Sequence, residues 1–251
     1  MWLCGVIAIK KRRGRMYPYE IFAGIDLYTI FLGIAVFAAI ITLRVCADRM
    51  GIEARVQNLS SLTAVAAVLV GYPSAILFQA FYNIKKNGGF VINADTGATF
   101  YGGLIGGVVC FVLIFFIVGK IKFKDNTYTV QSFFGVANIA AASITVAHGF
   151  GRIGCLMAGC CHGRETDAWY GIYMTAIGKK VVPIQLFEAI VLFLLFGIFM
   201  WRIFRGKRYN LPIYMASYGA WRFIVEYFRD DHRGSTRRRM PYIWEDYISC
   251  P

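Results

Sequence analysis

Charge is scarce in this chain. Only 16% of its 251 residues are Asp, Glu, Lys or Arg, against about a quarter in an average soluble domain. With 58% hydrophobic residues and a mean hydropathy of +0.55, that shortage excludes an ordinary soluble globule and a disordered chain. Proline is rare, at 6 residues, and the 26 glycines follow no collagen-like period. Cysteine is sparse and odd in number, at 7, which excludes a small disulfide scaffold. Acidic residues are the scarcer charge: 14 against 27 Lys and Arg, a formal net charge of +13. In a soluble protein that excess would point to nucleic acid. Here the charges fall between long apolar runs, so anionic membrane lipid is the expected partner and nucleic acid is not. No signal peptide is expected: residues 1–9 are apolar but too short to span, and the basic run from Lys10 to Arg13 follows them rather than precedes them.

What is present is a series of apolar runs of spanning length, roughly 17–25 residues each. Six are found, at about 21–43, 61–83, 99–119, 131–151, 184–204 and 211–228. Transmembrane strands would show segments of about ten residues with dyad alternation, and that pattern is absent. No internal repeat is evident. The expected fold is an all-α polytopic transmembrane helical bundle of about six spanning helices, a single integral membrane domain over residues 1–251. The longest stretch outside the spans, about 152–183, is rich in Gly, Cys and charge and is expected to be an extramembrane loop. Counting Lys and Arg puts about 16 on the side holding the N-terminus, 84–98, 152–183 and the tail, and about 10 on the other, so the positive-inside rule assigns the first side to the cytoplasm.

Several residues do not suit lipid-facing helix. An ionisable group in mid-span costs about 2.5–3.5 kcal/mol on insertion scales, so it persists when it faces a partner, a cavity or a site. Arg222, Glu226 and Arg229 stand at i, i+4 and i+7 and share one helix face. One acid between two arginines suits an anion pocket with Glu226 holding the guanidinium planes; an ion pair with a snorkelling Arg229 is the plainer alternative. Between Gly149 and Gly163, five of fifteen residues are glycine. Such a stretch is expected to unwind, which at membrane depth is tolerated only against protein or a wet cavity. Arg152 in that setting suits a phosphate, which its planar fork can grip.

Cys155, Cys160, Cys161, His148 and His162 raise the question of a metal. The C-x4-C-C spacing is not the C-x2–4-C pattern of zinc sites, so no metal is assigned. Buried thiol packing or a disulfide remains open. Gly102 with Gly106, and Gly103 with Gly107, make two small-xxx-small pairs suited to close helix packing. Tyr101 at the polar end of that helix is a candidate belt anchor. Gln185 and Glu188 follow Pro183, where an acid complements a helix dipole.

These motifs together resemble the prolipoprotein diacylglyceryl transferase family. The GRIG at 151–154 and GCCHG at 159–163 are similar to its signature loop. FYGGLIGG at 100–107 resembles the family's F-H-G-G-L-I-G, and PIQLFE at 183–188 its P-x-Q-L-Y-E. YGAWRFIVEYFRDD at 218–231 resembles Y-G-x-x-R-x-x-x-E-x-x-R-x-P-D. The four matches occur in the family's order. The resemblance implies transfer of a diacylglyceryl group from phosphatidylglycerol to the lipobox cysteine of a prolipoprotein, the first step of bacterial lipoprotein maturation, in the bacterial inner membrane and without a cofactor. It implies Arg152 and Arg222 as essential arginines, and Gly154 and Gly163 as signature-loop glycines. It implies Tyr28, Gln185, Glu188, Glu226 and Arg229 as substrate-binding residues. It also places Arg152 and Arg229 on the outer face, against the charge count.

The chain departs from the family pattern at three motif positions: Tyr101 stands for its histidine, Cys155 for its asparagine and Cys160 for its acid. The family has seven spanning helices, and this sequence ends at about where the last would begin, so a diverged or shortened member is expected. With the histidine replaced, Tyr101 and His162 are the candidates for the base. Two further readings stand beside transfer to a lipobox: the same fold with another acceptor, and a non-catalytic membrane binder or carrier of anionic headgroups.

Overall fold

The computed structural model describes residues 25–93, 96–175 and 178–227, together with the backbone of 248–250. Its elements in chain order are α1 (Leu27–Arg49), α2 (Ala54–Asn87), β1 (Ala98–Thr99), α3 (Phe100–Phe123), α4 (Asn126–Ala158), β2 (Ile172–Met174), β3 (Lys179–Val181), α5 (Ile184–Phe204), α6 (Asn210–Glu226) and β4 (Ile248–Cys250). The expected polytopic helical bundle is what forms. Five helices, α1 to α5, are long and apolar enough to cross a membrane. The sixth expected span, α6, has 17 described residues, about 25 Å of helix against a hydrocarbon core near 30 Å.

Two helices are longer than hydropathy suggests. α2 starts at Ala54 rather than near 61, and α4 runs from Asn126 to Ala158 rather than from about 131 to 151. Polar residues such as Arg55, Gln57 and Asn58 continue the helix outside the apolar zone, so composition ends before backbone hydrogen bonding does. The start expected for the first span, 21–24, lies outside the described residues.

Helix starts follow ordinary capping chemistry. Asp26 accepts from the Thr29 amide at 2.8 Å to start α1. Asp125 accepts from the Thr127 and Tyr128 amides at 2.8 and 3.2 Å to start α4. Each satisfies N–H groups that the first turn leaves without intrahelical partners.

α3 lies tightly on α2 because glycine removes the side chain between them. A Cβ on Gly106 would fall 2.3 Å from Ser74 Oγ, and one on Gly102 only 2.5 Å from Phe78 Cβ. The gap is used: Ser74 Oγ donates to the Gly102 carbonyl at 2.8 Å. The small-xxx-small reading therefore holds for this pair of helices.

The apolar core occupies one half of the bundle. It gathers Leu43 and Cys46 late in α1, Leu59 early in α2, Phe115 in α3, Ile139 early in α4, Phe199 and Ile203 late in α5, and Tyr214 in α6. Its rim is tied by Asn210, whose amide donates to Asn138 Oδ1 at 3.1 Å and whose Oδ1 accepts from Arg202 Nε at 2.8 Å. The opposite half holds the end of α4, the start of α5 and the middle of α6. Gly106→Val should destabilise the bundle by about 1–3 kcal/mol through overpacking, read as a lowered thermal unfolding midpoint in detergent, while Gly33→Ala, at a site open to space, should leave it nearly unchanged.

Candidate active site

Three helix faces converge in that second half. On α4, His148, Arg152 and Cys155 stand at i, i+4 and i+7. On α5, Gln185 and Glu188 share a face, and both are buried. On α6, Tyr214, Tyr218, Arg222 and Glu226 repeat at four-residue intervals. The helical period thus brings the named side chains of each helix to one face.

Glu188 is the centre. It has no solvent exposure, and its Oε2 lies 3.2 Å from Arg152 Nε. Its Oε1 lies 3.9 Å from Arg222 Nη1 and accepts from the Tyr218 hydroxyl at 3.4 Å. Arg152 Nη2 donates to the same hydroxyl at 3.2 Å. Arg222 Nη2 reaches Glu226 Oε2 at 3.3 Å, and Glu226 is the half-exposed member of the set. One turn before Arg152 on α4, His148 Nδ1 is 3.1 Å from the Tyr214 hydroxyl, and its ring meets Tyr218 edge-on at 4.6 Å.

The charges decide what this arrangement can accept. Two guanidinium groups share one fully buried carboxylate, so the inner triad carries an excess positive charge. Glu226, at the rim, offsets it in part. A low-dielectric wall strengthens any anion contact made there. The triad sits beside an apolar cavity of about 230 Å³, lined by Tyr170, Val182, Ile184, Phe187, Trp221 and Val225. Trp221 Nε1 is a buried donor with no hydrogen-bond partner among the described residues. So is the acceptor Gln185 Oε1, although the Gln185 side-chain amide donates to the Cys160 carbonyl.

The expectation of unwound backbone needs correction. Residues 148–158 remain helical, and Arg152, Gly154 and Cys155 project from α4 rather than from a loop. The loop begins at Gly159, whose φ of 68° ends the helix and suits a residue without Cβ. The glycines serve close approach instead: a Cβ on Gly154 would lie 3.3 Å from the Tyr28 ring, and one on Gly149 3.0 Å from Phe193. Tyr28 therefore packs against α4 at Gly154, two residues on from Arg152 and nearly on the opposite side of the helix. The dipole reading of Glu188 also fails, since α5 has no acid in its first turn, and Glu188 serves the arginines. Glu226 does pair with Arg222, as expected, but the fully buried counter-ion is Glu188.

The remaining candidates are distributed around this end. Tyr101 stands in the first turn of α3, half-buried. His162 lies in the 159–183 loop, with Nδ1 3.0 Å from the Gly163 carbonyl. A carbonyl only accepts, so the Nδ1 proton donates and the lone pair is left on Nε2. Gly163 itself donates to the Val182 carbonyl at 2.9 Å, fastening the loop to the approach to α5. Arg229 lies outside the described residues. Tyr214 and Tyr218 are site residues missing from the candidates drawn from sequence. Tyr218 is marked by opening the motif at 218–231, and Tyr214 only by standing two four-residue steps before Arg222.

The fold and this buried cationic cluster define a multi-pass helical membrane protein with a polar interior at one end. The family model for prolipoprotein diacylglyceryl transferase matches residues 19–245. A phosphatidylglycerol–prolipoprotein diacylglyceryl transferase 2 of Clostridium perfringens (strain 13 / Type A) is 31% identical over 231 residues, covering 88% of this chain and 84% of that protein. A phosphatidylglycerol–prolipoprotein diacylglyceryl transferase of Clostridium tetani (strain Massachusetts / E88) is 27% identical over 216 residues, covering 83% and 82%. One of Vibrio vulnificus (strain YJ016) is 32% identical over 171 residues, covering 66% and 59%. The chain belongs to the prolipoprotein diacylglyceryl transferase family.

Removing the central carboxylate should be costly in itself. Glu188→Gln leaves two buried guanidinium groups without their shared counter-ion, a loss of about 3–5 kcal/mol. Thermal unfolding in detergent should show a large drop in midpoint, larger than for Glu226→Gln at the half-exposed rim.

Proposed function

We propose that this chain transfers a diacylglyceryl group from phosphatidylglycerol to the lipobox cysteine thiol of prolipoproteins at the bacterial inner membrane. The observation that carries this reading is the buried Arg152–Glu188–Arg222 triad in a chain of this family. The relatives' names supply the donor and the acceptor class.

The chemistry asks for displacement at the glycerol carbon that bears the phosphate. The incoming sulfur forms a C–S bond, the C–O bond to phosphate breaks, and glycerol phosphate leaves with the electron pair. Negative charge grows on the departing phosphate, and Arg152 and Arg222 stabilise it. Because Glu188 already holds both guanidinium groups in place, little reorganisation is needed when that charge develops. Glu226 and Arg229 sit on the same stretch of sequence and bind the headgroup side.

The cysteine thiol must also lose its proton, since the thiolate is the nucleophile and a free thiol has a pKa near about 8.5. With tyrosine in place of the family histidine, His162 takes this proton through Nε2, and Tyr101 donates a hydrogen bond to the bound lipid. Gly154 lets Tyr28 of α1 pack closely on α4 and so holds that helix in place, and Gly163 fixes the loop that carries His162. Gln185 orients the same loop from below. The apolar cavity receives the start of an acyl chain, with the Trp221 indole N–H donating to its ester carbonyl.

The decisive assay incubates purified protein in phosphatidylglycerol nanodiscs with a lipobox-cysteine peptide and follows glycerol phosphate and peptide mass together. Both signals are expected. Glycerol phosphate without peptide modification would move the reading to another acceptor, and neither signal from folded protein would move it to a headgroup binder. Arg152→Ala and Arg222→Ala should each lower turnover by about a hundredfold to a thousandfold or more, while Cys161→Ser should retain it. Trp221→Phe should raise the KM for phosphatidylglycerol several-fold with kcat little changed, as loss of one neutral hydrogen bond of about 0.5–1.5 kcal/mol requires.

A further inference from the structure

We infer that Cys155, Cys160 and Cys161 form a binding site for a soft, thiophilic metal ion of the Zn(II) or Cu(I) kind, held by three thiolates at the junction of α4 and its following loop. Their Sγ atoms lie within 4.8 Å of one another. Three sulfurs around one ion at a metal–sulfur distance of about 2.3 Å stand about 4 Å apart, so the set needs only a small contraction to close on an ion.

The backbone explains how a spacing unlike that of zinc sites still gathers three sulfurs. Cys155 occupies the last turn of α4. The chain then reverses at Gly159, and the Cys160 amide donates back to the Cys155 carbonyl at 3.2 Å. That return brings the Cys160 sulfur over the helix end. In an extended pair, adjacent side chains would point to opposite faces. Cys161 is instead left-handed, with φ 61°, a conformation uncommon for a residue with a side chain. It turns the second sulfur of the vicinal pair to the same side as the first.

The site is also held in place. Gln185, buried on α5, donates to the Cys160 carbonyl, and Gly163 donates to the Val182 carbonyl at 2.9 Å. Sulfur donors select soft ions over Mg(II) and Ca(II), which take oxygen. On binding, each thiol gives its proton to solvent as its sulfur takes up the ion, with no change of oxidation state. Arg152, three residues before Cys155 on α4 and so on a neighbouring part of the same face, brings positive charge against the negative charge that three thiolates gather.

The test titrates reduced, metal-free full-length protein in detergent with Zn(II) and, separately, with Cu(I), each against a competing chelator, with no lipid or peptide substrate present. One ion per chain is expected for at least one of the two metals. Cys155→Ser, Cys160→Ser and Cys161→Ser should each weaken uptake about tenfold or more, while Cys110→Ser should leave it unchanged. Each variant's thermal midpoint without metal is compared with that of the parent. A variant that loses fold is replaced by Cys161→Ala, on the loop and outside α4. The assignment is overturned if neither metal binds stoichiometrically, or if folded cysteine variants take up metal as well as the parent. Because binding is read directly, its failure is separate from any failure of transfer.

Discussion

A carboxylate without solvent exposure, shared by two guanidinium groups inside an apolar bundle, is the constraint on which the rest depends. Glu188 lies 3.2 Å from Arg152 and 3.9 Å from Arg222. Each of these ions would be expensive alone among hydrocarbon-like neighbours. Together they oblige α4, α5 and α6 to meet at one depth and in one rotation. Tyr218 completes the arrangement by bonding to both Arg152 and Glu188. The tyrosine hydroxyl can donate to the acid while it accepts from the arginine, so one neutral side chain joins the two charged ones.

The bundle accordingly divides its work along its length. One half is dry, with Phe115, Ile139, Leu192 and Phe199 packed together, and supplies most of the burial that holds the helices. The other half places charge, two buried polar atoms without partners and an apolar cavity beside one another. Buried polar groups without partners are few in folded proteins. Outside the triad, two stand at Gln185 and Trp221, on the helices that carry Glu188 and Arg222, where a ligand would satisfy them, and two more at Ser61 and Ser143. The glycine-dependent contact of α2 with α3 lies outside the triad and stabilises the frame without entering it.

Much of this is legible in the sequence, for identifiable reasons. A run of about twenty apolar residues has few meanings, and α5 falls at the limits that composition sets, 184–204. The four-residue interval from Arg222 to Glu226 implies their ion pair because both partners lie on one helix. Glu188 cannot be read in the same way. Its partners lie on α4 and α6, and pairing across helices depends on rotation and depth, which hydropathy does not encode. The glycines at 149–163 mislead for a related reason. A glycine that frees the backbone and a glycine that admits a neighbouring ring look alike in sequence, and only the position of Tyr28 and Phe193 separates them. Helix ends are misplaced wherever polar residues carry the helix beyond the apolar zone, as at Arg55 and Gln57 in α2.

Two of the three departures from the family pattern lie together in space, and the third, Tyr101, stands on α3. Cys155 and Cys160 stand where the family motif carries an asparagine and an acid, and they meet each other and Cys161 at the end of α4. Replacing two oxygen-bearing side chains by sulfur at touching positions changes one local environment, not two. The triad beyond it keeps both arginines and the acid. Loss of the family's polar groups at 155 and 160 therefore bears on the loop and its rim, where the proton of an incoming thiol would be handled, and leaves intact the charges that would hold a departing phosphate. Under the proposed transfer, acceptor chemistry rather than headgroup binding would then be the part most open to divergence in this chain.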